Sequence, residues 1–209
     1  MNFMSNGVNA VVLFYFAGEV RPLLGGVILY KEIVNAADRL KRRYRETNPF
    51  KLCEAMGIKL LFRSLGTEPN SVKGFFFECK RIRTITVNAD LPEIVQMFIV
   101  AHELGHAVLH RDHGLSAFQE TALYDESSVR EKEANLFAAE LLLDDEEVLQ
   151  TLNEDNTFFS AAARLCVPAE LLDFKFRIMK RKGYKLAEPP VIASNCFLRD
   201  LEIPLQQNY

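Results

Sequence analysis

Hydrophobic residues along this chain switch between helical and extended spacing, and the switches predict the order of its elements. The first amphipathic stretch has apolar residues at helical spacing and basic residues largely on the other face. Its apolar positions are Ile33, Ala37, Leu40 and Tyr44. A short helix is predicted from Pro49 to Met56, with an N-cap at Asn48 and a C-cap at Gly57. A strand over Ile58–Phe62 is predicted to follow.

Two stretches rich in Phe, Ile, Thr and Val predict a β-hairpin immediately before the next helix. They are Gly74–Cys79 and Ile82–Val87, separated by Lys80-Arg81. The helix that follows has apolar residues at helical spacing and is predicted to be largely buried. Asp90 and Glu93 fit a capping box at its start. A strand beside this helix either covers it or offers an exposed edge to an extended peptide.

The buried helix carries an H-E-x-x-H pattern, His102-Glu103-Leu104-Gly105-His106. Because positions i and i+4 share one face of a helix, His102 and His106 can present two imidazoles to one metal ion. Glu103 lies about 100° round the helix, where its carboxylate can reach a water that the metal activates. Zinc with an open coordination position lowers the pKa of such a water, and Glu103 then takes the proton. The spacing predicts hydrolysis; the alternative is a buried structural histidine pair.

A third metal ligand is predicted on a second helix, since two His and one Glu make an open catalytic zinc site. Ser128 and Glu131 fit a capping box that opens a helix over Val129–Leu143. Glu133 is the predicted ligand, and Glu131 and Glu126 are its competitors. Glu133 is preferred because its face of the helix is predicted to pack inward. The same face carries Leu136, Phe137 and Glu140.

Residues after the motif exclude one arrangement and suggest supporting contacts. The metzincin pattern requires Gly and His where this chain has Leu109 and Asp112, so that arrangement is excluded. His110 shares the face of the two ligand histidines but lies a further turn away, which predicts a helix-end residue or a contact to a ligand. Glu140 is predicted either to orient a ligand histidine or to lie at the rim of the site.

Composition narrows the class of protein further. The chain has 209 residues and a net charge of −3, which favours one ordinary domain with extensions and does not decide for or against nucleic acid. Its four cysteines are far apart and form no C-x-x-C pair, which excludes an obvious cysteine zinc site and suits a cytoplasmic location. No apolar run near the amino terminus reaches the roughly 20 residues that span a bilayer, so no membrane association is expected.

With both helical motifs in view, the sequence resembles the ImmA/IrrE family of metallopeptidases, which is common in phage and mobile-element genomes. The resemblance rests on Ile85-Thr86-Val87-Asn88, AHELGHAVLH at 101–110 and EANLFAAELLL at 133–143. It implies zinc ligands at His102, His106 and Glu133, with Glu103 as the general base. Zn²⁺ is the expected cofactor, and Mn²⁺ is the alternative. The family often has Met-Pro after the second motif, whereas Asp144 here predicts the cap of a new helix.

The resemblance also implies a substrate and a fold. Characterised members cut a partner helix-turn-helix repressor, which relieves repression of a mobile element, a prophage or a stress regulon. The expected fold is α+β, with a small antiparallel sheet packed against the H-E-x-x-H helix, a second glutamate-bearing helix and further carboxyl-terminal helices. The alternative function is a non-proteolytic antirepressor or DNA-binding regulator with a structural metal site. Glu103 counts against it, because a structural site needs no general base.

The chain is predicted to have four parts. Residues 1–30 form an apolar amino-terminal extension, and residues 31–157 form the metallopeptidase domain. Residues 158–184 form a pair of helices with the spacing of a helix-turn-helix, and residues 185–209 form an irregular tail. The second helix of the pair, Ala169–Lys182, is basic but largely apolar, so packing on the core is favoured over direct DNA binding.

Overall fold

The computed structural model describes residues 30–68, 71–110, 124–154, 157–195 and 197. The predicted extension, apart from residue 30, and the end of the predicted tail lie outside these residues. In chain order, the described elements are α1 Tyr30–Tyr44, α2 Pro49–Ala55, β1 Lys59–Arg63, β2 Gly74–Cys79, β3 Ile82–Asn88, α3 Glu93–Leu109, α4 Tyr124–Leu142, α5 Asp145–Glu154, α6 Phe158–Arg164 and α7 Ala169–Lys182. The predicted α+β class is confirmed.

The three strands form one mixed sheet in the order β1-β3-β2. β2 and β3 make the predicted hairpin, and Lys80 and Arg81 both have the positive φ that a tight two-residue turn requires. β1 pairs with β3 in parallel, so the prediction of an antiparallel sheet holds for the hairpin and is wrong for β1. Because β3 is central, it has no free edge for a peptide. Among the described strands, the edge nearest α3 belongs to β2.

The loop between β1 and β2 is held by the buried side chain of Asn88 at the end of β3. Its amide group donates to the carbonyl oxygens of Gly66 (2.7 Å) and Val72 (3.0 Å), and its oxygen accepts from the N–H of Leu65 (3.2 Å). These bonds satisfy backbone groups that the sheet does not pair. They fix the path by which the chain leaves β1 and returns on the other side of β3.

Several of the predicted helix ends are confirmed by their capping contacts. The Asn48 side chain accepts from the N–H groups of Phe50 and Lys51 at the start of α2. Gly57 follows α2 with φ +65°, and Gly183 ends α7 with φ +101°. Both glycines take the left-handed conformation, which side chains with a Cβ disfavour.

Two predicted capping boxes are absent. The carboxylate of Asp90 accepts from Ser64 Oγ and from the N–H of Gly66, both at 2.8 Å, and makes no cap on α3. Ser128 lies inside α4, because that helix begins at Tyr124. The Asp90 carboxylate binds the loop after β1 instead of capping α3. The Ser128 cap does not form because α4 begins four residues earlier, at Tyr124.

α3 lies between the sheet and α4 and is buried over most of its length. Gly74 of β2 allows the helix to lie this close, since a Cβ on Gly74 would be 2.4 Å from Cγ2 of Ile99. The core continues from α3 through α4 to α7, whose apolar residues are buried as the sequence predicted. Lys175 of α7 is only 1% exposed and so cannot contact DNA.

Candidate metal and catalytic site

The H-E-x-x-H residues lie in the middle of α3, facing α4. Gly105 is the closest point between the two helices. A Cβ there would be 3.1 Å from Cα and 3.2 Å from the carbonyl oxygen of Ala134. The glycine therefore lets α4 approach α3 backbone to backbone, which brings side chains one turn before Ala134 over the histidines. Gly105, at a variable position of the H-E-x-x-H pattern, thus shapes the site without contributing a donor atom.

Three side chains converge at this crossing: His102, His106 and Glu131. The two Nε2 atoms are 3.0 Å apart, and the Glu131 carboxylate lies 3.2 Å from His102 Nε2 and 3.4 Å from His106 Nε2. A tetrahedral zinc ion 2.0 to 2.1 Å from each donor would hold such atoms roughly 3.3 Å apart. The donor spacing and the donor types therefore fit a zinc-like ion bound by two imidazoles and one carboxylate.

The predicted ligand Glu133 lies elsewhere. Its carboxylate is buried and accepts from His110 Nε2 at 2.8 Å. Two residues along a helix is a rotation of about 200°, so Glu131 and Glu133 cannot point to the same place. The geometry favours Glu131, which the sequence left as a competitor, over Glu133 as the third donor. The burial argument was sound for Glu133 but did not identify the residue that faces the histidines.

Both donor histidines are oriented by a partner on the other ring nitrogen. His102 Nδ1 lies 2.8 Å from Asn135 Oδ1, and His106 Nδ1 lies 3.0 Å from His110 Nδ1. Since Glu133 accepts from His110 Nε2–H, His110 Nδ1 is left to accept from His106 Nδ1–H. When these histidines are neutral, each carries its proton on Nδ1 and leaves the Nε2 lone pair for an ion. When they are protonated, Nε2–H of each ring points to the Glu131 carboxylate instead. His110 is both the C-cap of α3 and a contact to a donor histidine, as predicted.

Burial and charge at the crossing shift the pKa values of Glu103 and Glu131 in opposite directions. Burial raises the pKa of Glu103, and the charges of His106 and His102 offset this only in part. Burial also acts to raise the pKa of Glu131, but hydrogen bonds and charge from His102 and His106 outweigh it and hold that pKa well below the ordinary range. The two carboxylates are thus distinguished: Glu131 is favoured as an anion by the histidines, whereas burial favours the protonated form of Glu103.

Glu103 is placed against the sheet as well as beside the histidines. It accepts a hydrogen bond from the backbone N–H of Phe76 in β2. Because alternate residues of a strand point their N–H groups to opposite sides, the outer edge of β2 runs beside Glu103. Glu103 is therefore adjacent to a strand edge that pairs with no other strand of the described residues.

Glu140 does not orient a histidine. Its buried carboxylate instead accepts from Lys175 (2.8 Å) and Lys182 (2.7 Å) of α7, and both lysines also pair with Asp145. The residue that orients His102, Asn135, was missed by the sequence argument. Its position one turn after Glu131 was the available signal, since residues four apart share a helix face.

A cluster of two histidines and one glutamate beside a buried glutamate suits a metal-dependent hydrolase. The model for the IrrE N-terminal-like domain, peptidase family M78, matches residues 53–177. A relative from Bacillus phage phi105, named uncharacterized immunity region protein 2, is 36% identical over 146 residues, covering 70% of this chain and 90% of the relative. The chain belongs to the IrrE N-terminal-like family, and the resemblance is confirmed. Among the described residues, no helix is long and apolar enough to cross a membrane.

Proposed function

We propose that the protein is a zinc-dependent endopeptidase in which His102, His106 and Glu131 hold the ion and Glu103 is the general base. The observation that supports this best is the convergence of the three donors at zinc-like spacing beside a buried glutamate. Glu131 replaces Glu133 in the ligand set because of that convergence. Glu133 acts through His110, which orients His106.

The protein's own groups have distinct tasks in this proposal. A bound zinc ion supplies Lewis acidity, which lowers the pKa of water and polarises a carbonyl. The Asn135 and His110 contacts keep Nε2 of each histidine unprotonated, so the donors remain competent to bind. Glu103 takes the proton from the attacking water and can return it to the leaving amine, a transfer that its raised pKa favours. His102 and Glu103 are buried, whereas the side chains of His106 and Glu131 are partly exposed, so water and substrate can reach this side of the site.

The substrate is proposed to bind as an extended segment along the outer edge of β2. That edge lies beside Glu103, and pairing with it would use main-chain hydrogen bonds and so tolerate different side chains. The relative named as a phage immunity region protein supports a helix-turn-helix repressor as the substrate protein. Cleavage of such a repressor would relieve repression of a prophage, a mobile element or a stress regulon.

The decisive experiment combines a metal measurement with a cleavage assay. The full chain is incubated with candidate helix-turn-helix repressors from the same genome, with Zn²⁺, with Mn²⁺ and with a chelator. We expect fragments that require metal. Glu103→Gln should bind zinc normally but cleave at least about 100-fold more slowly, because a general base contributes about 10²–10⁴ in rate. The matched control is Glu93→Gln, an exposed position at the start of the same helix, which should cleave at the wild-type rate.

Two results would overturn this proposal. Cleavage by Glu103→Gln at the wild-type rate would remove Glu103 as the base. Binding of the repressor with no fragments under either metal would favour an antirepressor in which the ion is structural.

A further inference from the structure

The carboxyl-terminal end of the described chain is fastened to α7 at two points. We name Ala193, Ser194, Asn195 and Phe197 the carboxyl-terminal strap. The N–H of Ala193 donates to Asp173 Oδ2 at 2.9 Å, and its carbonyl accepts from Arg177 at 3.0 Å. On the other side of Asn195, the buried Phe197 ring lies 5.7 Å from the ring of Phe174. The backbone of Asn195 is therefore held from both sides.

Between these anchors, the backbone of Asn195 accepts a hydrogen bond from a residue of the site. The Asn195 carbonyl accepts from Asn135 Nδ2 at 2.6 Å, and Asn135 Oδ1 lies 2.8 Å from His102 Nδ1. Asn135 is fully buried, so water cannot replace either partner. A continuous path thus runs from the strap to a donor histidine.

The direction of the Asn135 amide decides which nitrogen of His102 carries the proton. With its oxygen towards the ring, the amide accepts from Nδ1–H, and Nε2 keeps its lone pair. With its NH₂ towards the ring, Nδ1 would have to accept, and the neutral ring would then carry its proton on Nε2, where the ion should bind. A carbonyl can only accept a hydrogen bond, so the Asn195 carbonyl selects the first direction.

We propose that the carboxyl-terminal strap is a positioning element of the metal site, which fixes the His102 tautomer by orienting the Asn135 amide. This inference rests on the proposed metal site. It concerns a part of the chain beyond the match to the family, which ends at residue 177. The strap is proposed to act on His102 through Asn135, by the hydrogen bond to the Asn195 carbonyl.

The test loosens the strap in the full chain on either side of Asn195, with Phe197→Ala and separately Asp173→Ala. Zinc affinity is measured by competition with a chelating dye. The His102 tautomer is measured in the metal-free protein from ring ¹⁵N shifts. We expect affinity to fall about 10- to 100-fold, the range for losing a group that supports a ligand. The Nδ1–H form of His102 should decline as well. The matched control Phe159→Ala removes an exposed ring and should change neither quantity.

Combining strap and Asn135 variants shows whether the strap acts by orienting the Asn135 amide or by loosening the fold around the site. In Asn135→Asp, both side-chain oxygens accept, so the direction of the group no longer matters and Nδ1–H should remain. In that background, Phe197→Ala should have no further effect on affinity or tautomer. Equal losses in both backgrounds, or no change in either quantity in strap variants with Asn135 intact, would overturn the proposal. Thermal melting of the metal-free variants checks folding, and either strap variant alone suffices.

The test of the strap does not depend on whether the chain is a peptidase. Zinc affinity and the His102 tautomer are both measured without substrate. Absence of repressor fragments would reject the proposed function. An unchanged His102 tautomer and an unchanged zinc affinity in the strap variants would reject the role of the strap. If wild-type protein bound no zinc, the proposed metal site would fall, and the tautomer measurement would still decide whether the strap orients His102.

Discussion

Replacing Gly105 with alanine tests whether the close helix crossing creates the metal site. The new Cβ would lie 3.1 to 3.2 Å from Cα and the carbonyl oxygen of Ala134 and 3.2 Å from Cδ1 of Phe137. Two of these three atoms are backbone, so α4 itself must move by a few tenths of an ångström. Glu131, one turn earlier on α4, would move with it away from the histidines.

The expected change in the free energy of unfolding of Gly105→Ala is the sum of two opposing effects. Overpacking a buried contact costs about 1–3 kcal/mol. Alanine recovers about 1 kcal/mol of the helix propensity that glycine loses. The free energy of unfolding should therefore fall by roughly 0–2 kcal/mol, and about 1 kcal/mol corresponds to a melting temperature some 2–4 °C lower for a protein of this size. Zinc affinity should fall about tenfold, because a displaced ligand resembles the loss of a supporting contact.

The assay pairs thermal or denaturant unfolding of metal-free protein with dye competition for zinc. Gly105→Ser extends the series, since the added hydroxyl should lower both quantities at least as much as alanine does. A Gly105→Ala protein that is about 1 kcal/mol more stable and binds zinc with unchanged affinity would refute the reasoning. That outcome would mean that only the propensity term operates and that the crossing has room to spare.

Two further predictions concern carboxylates. Glu131→Gln should weaken zinc binding more than the matched Glu133→Gln, because Glu131 faces the ion and Glu133 acts through His110; equal losses in dye competition would contradict the assignment. Burial acts to raise the pKa of Asp145, but hydrogen bonds and charge from Lys175 and Lys182 outweigh it and lower that pKa. Its contribution is full above the unfolded value of about 3.9 and is lost as pH falls through the lowered pKa. The difference in unfolding free energy between wild type and Asp145→Asn should therefore close below about pH 4; a constant difference down to pH 2 would contradict this.

Local patterns predicted local structure well where no distant residue competed for the same groups. The Asn48 cap of α2, the Lys80-Arg81 turn and the bounds of α7 all follow from short-range chemistry. The cap predicted at Asp90 failed because a loop more than twenty residues away offered its carboxylate better partners. A capping box is a local pattern, and it does not form when a tertiary contact binds the same side chain more favourably.

The choice between Glu131 and Glu133 shows the same limit at the site. A helix period identifies which residues share a face, but not which of two polar faces meets the partner helix. Both glutamates contact histidines of α3 or its cap. Glu131 contacts His102 and His106, and Glu133 contacts His110. Only the packing of α4 on α3, where Gly105 lies against Ala134, brings Glu131 rather than Glu133 to the pair His102 and His106.

The sequence alone identified the helix that carries the candidate site, because positions i and i+4 lie on one face of any α-helix. His102 and His106 therefore lie side by side, with Glu103 next to them. The sequence also determined the hairpin before that helix and the α+β class. The tertiary structure decided which groups from elsewhere in the chain meet this helix: Glu131 beside the two histidines, the Asn135 and His110 contacts and the strap at Asn195. It also decided the parallel pairing of β1. The physical reason is distance along the chain. Periodicity constrains neighbours within one element, whereas a site assembled from several elements depends on how they pack.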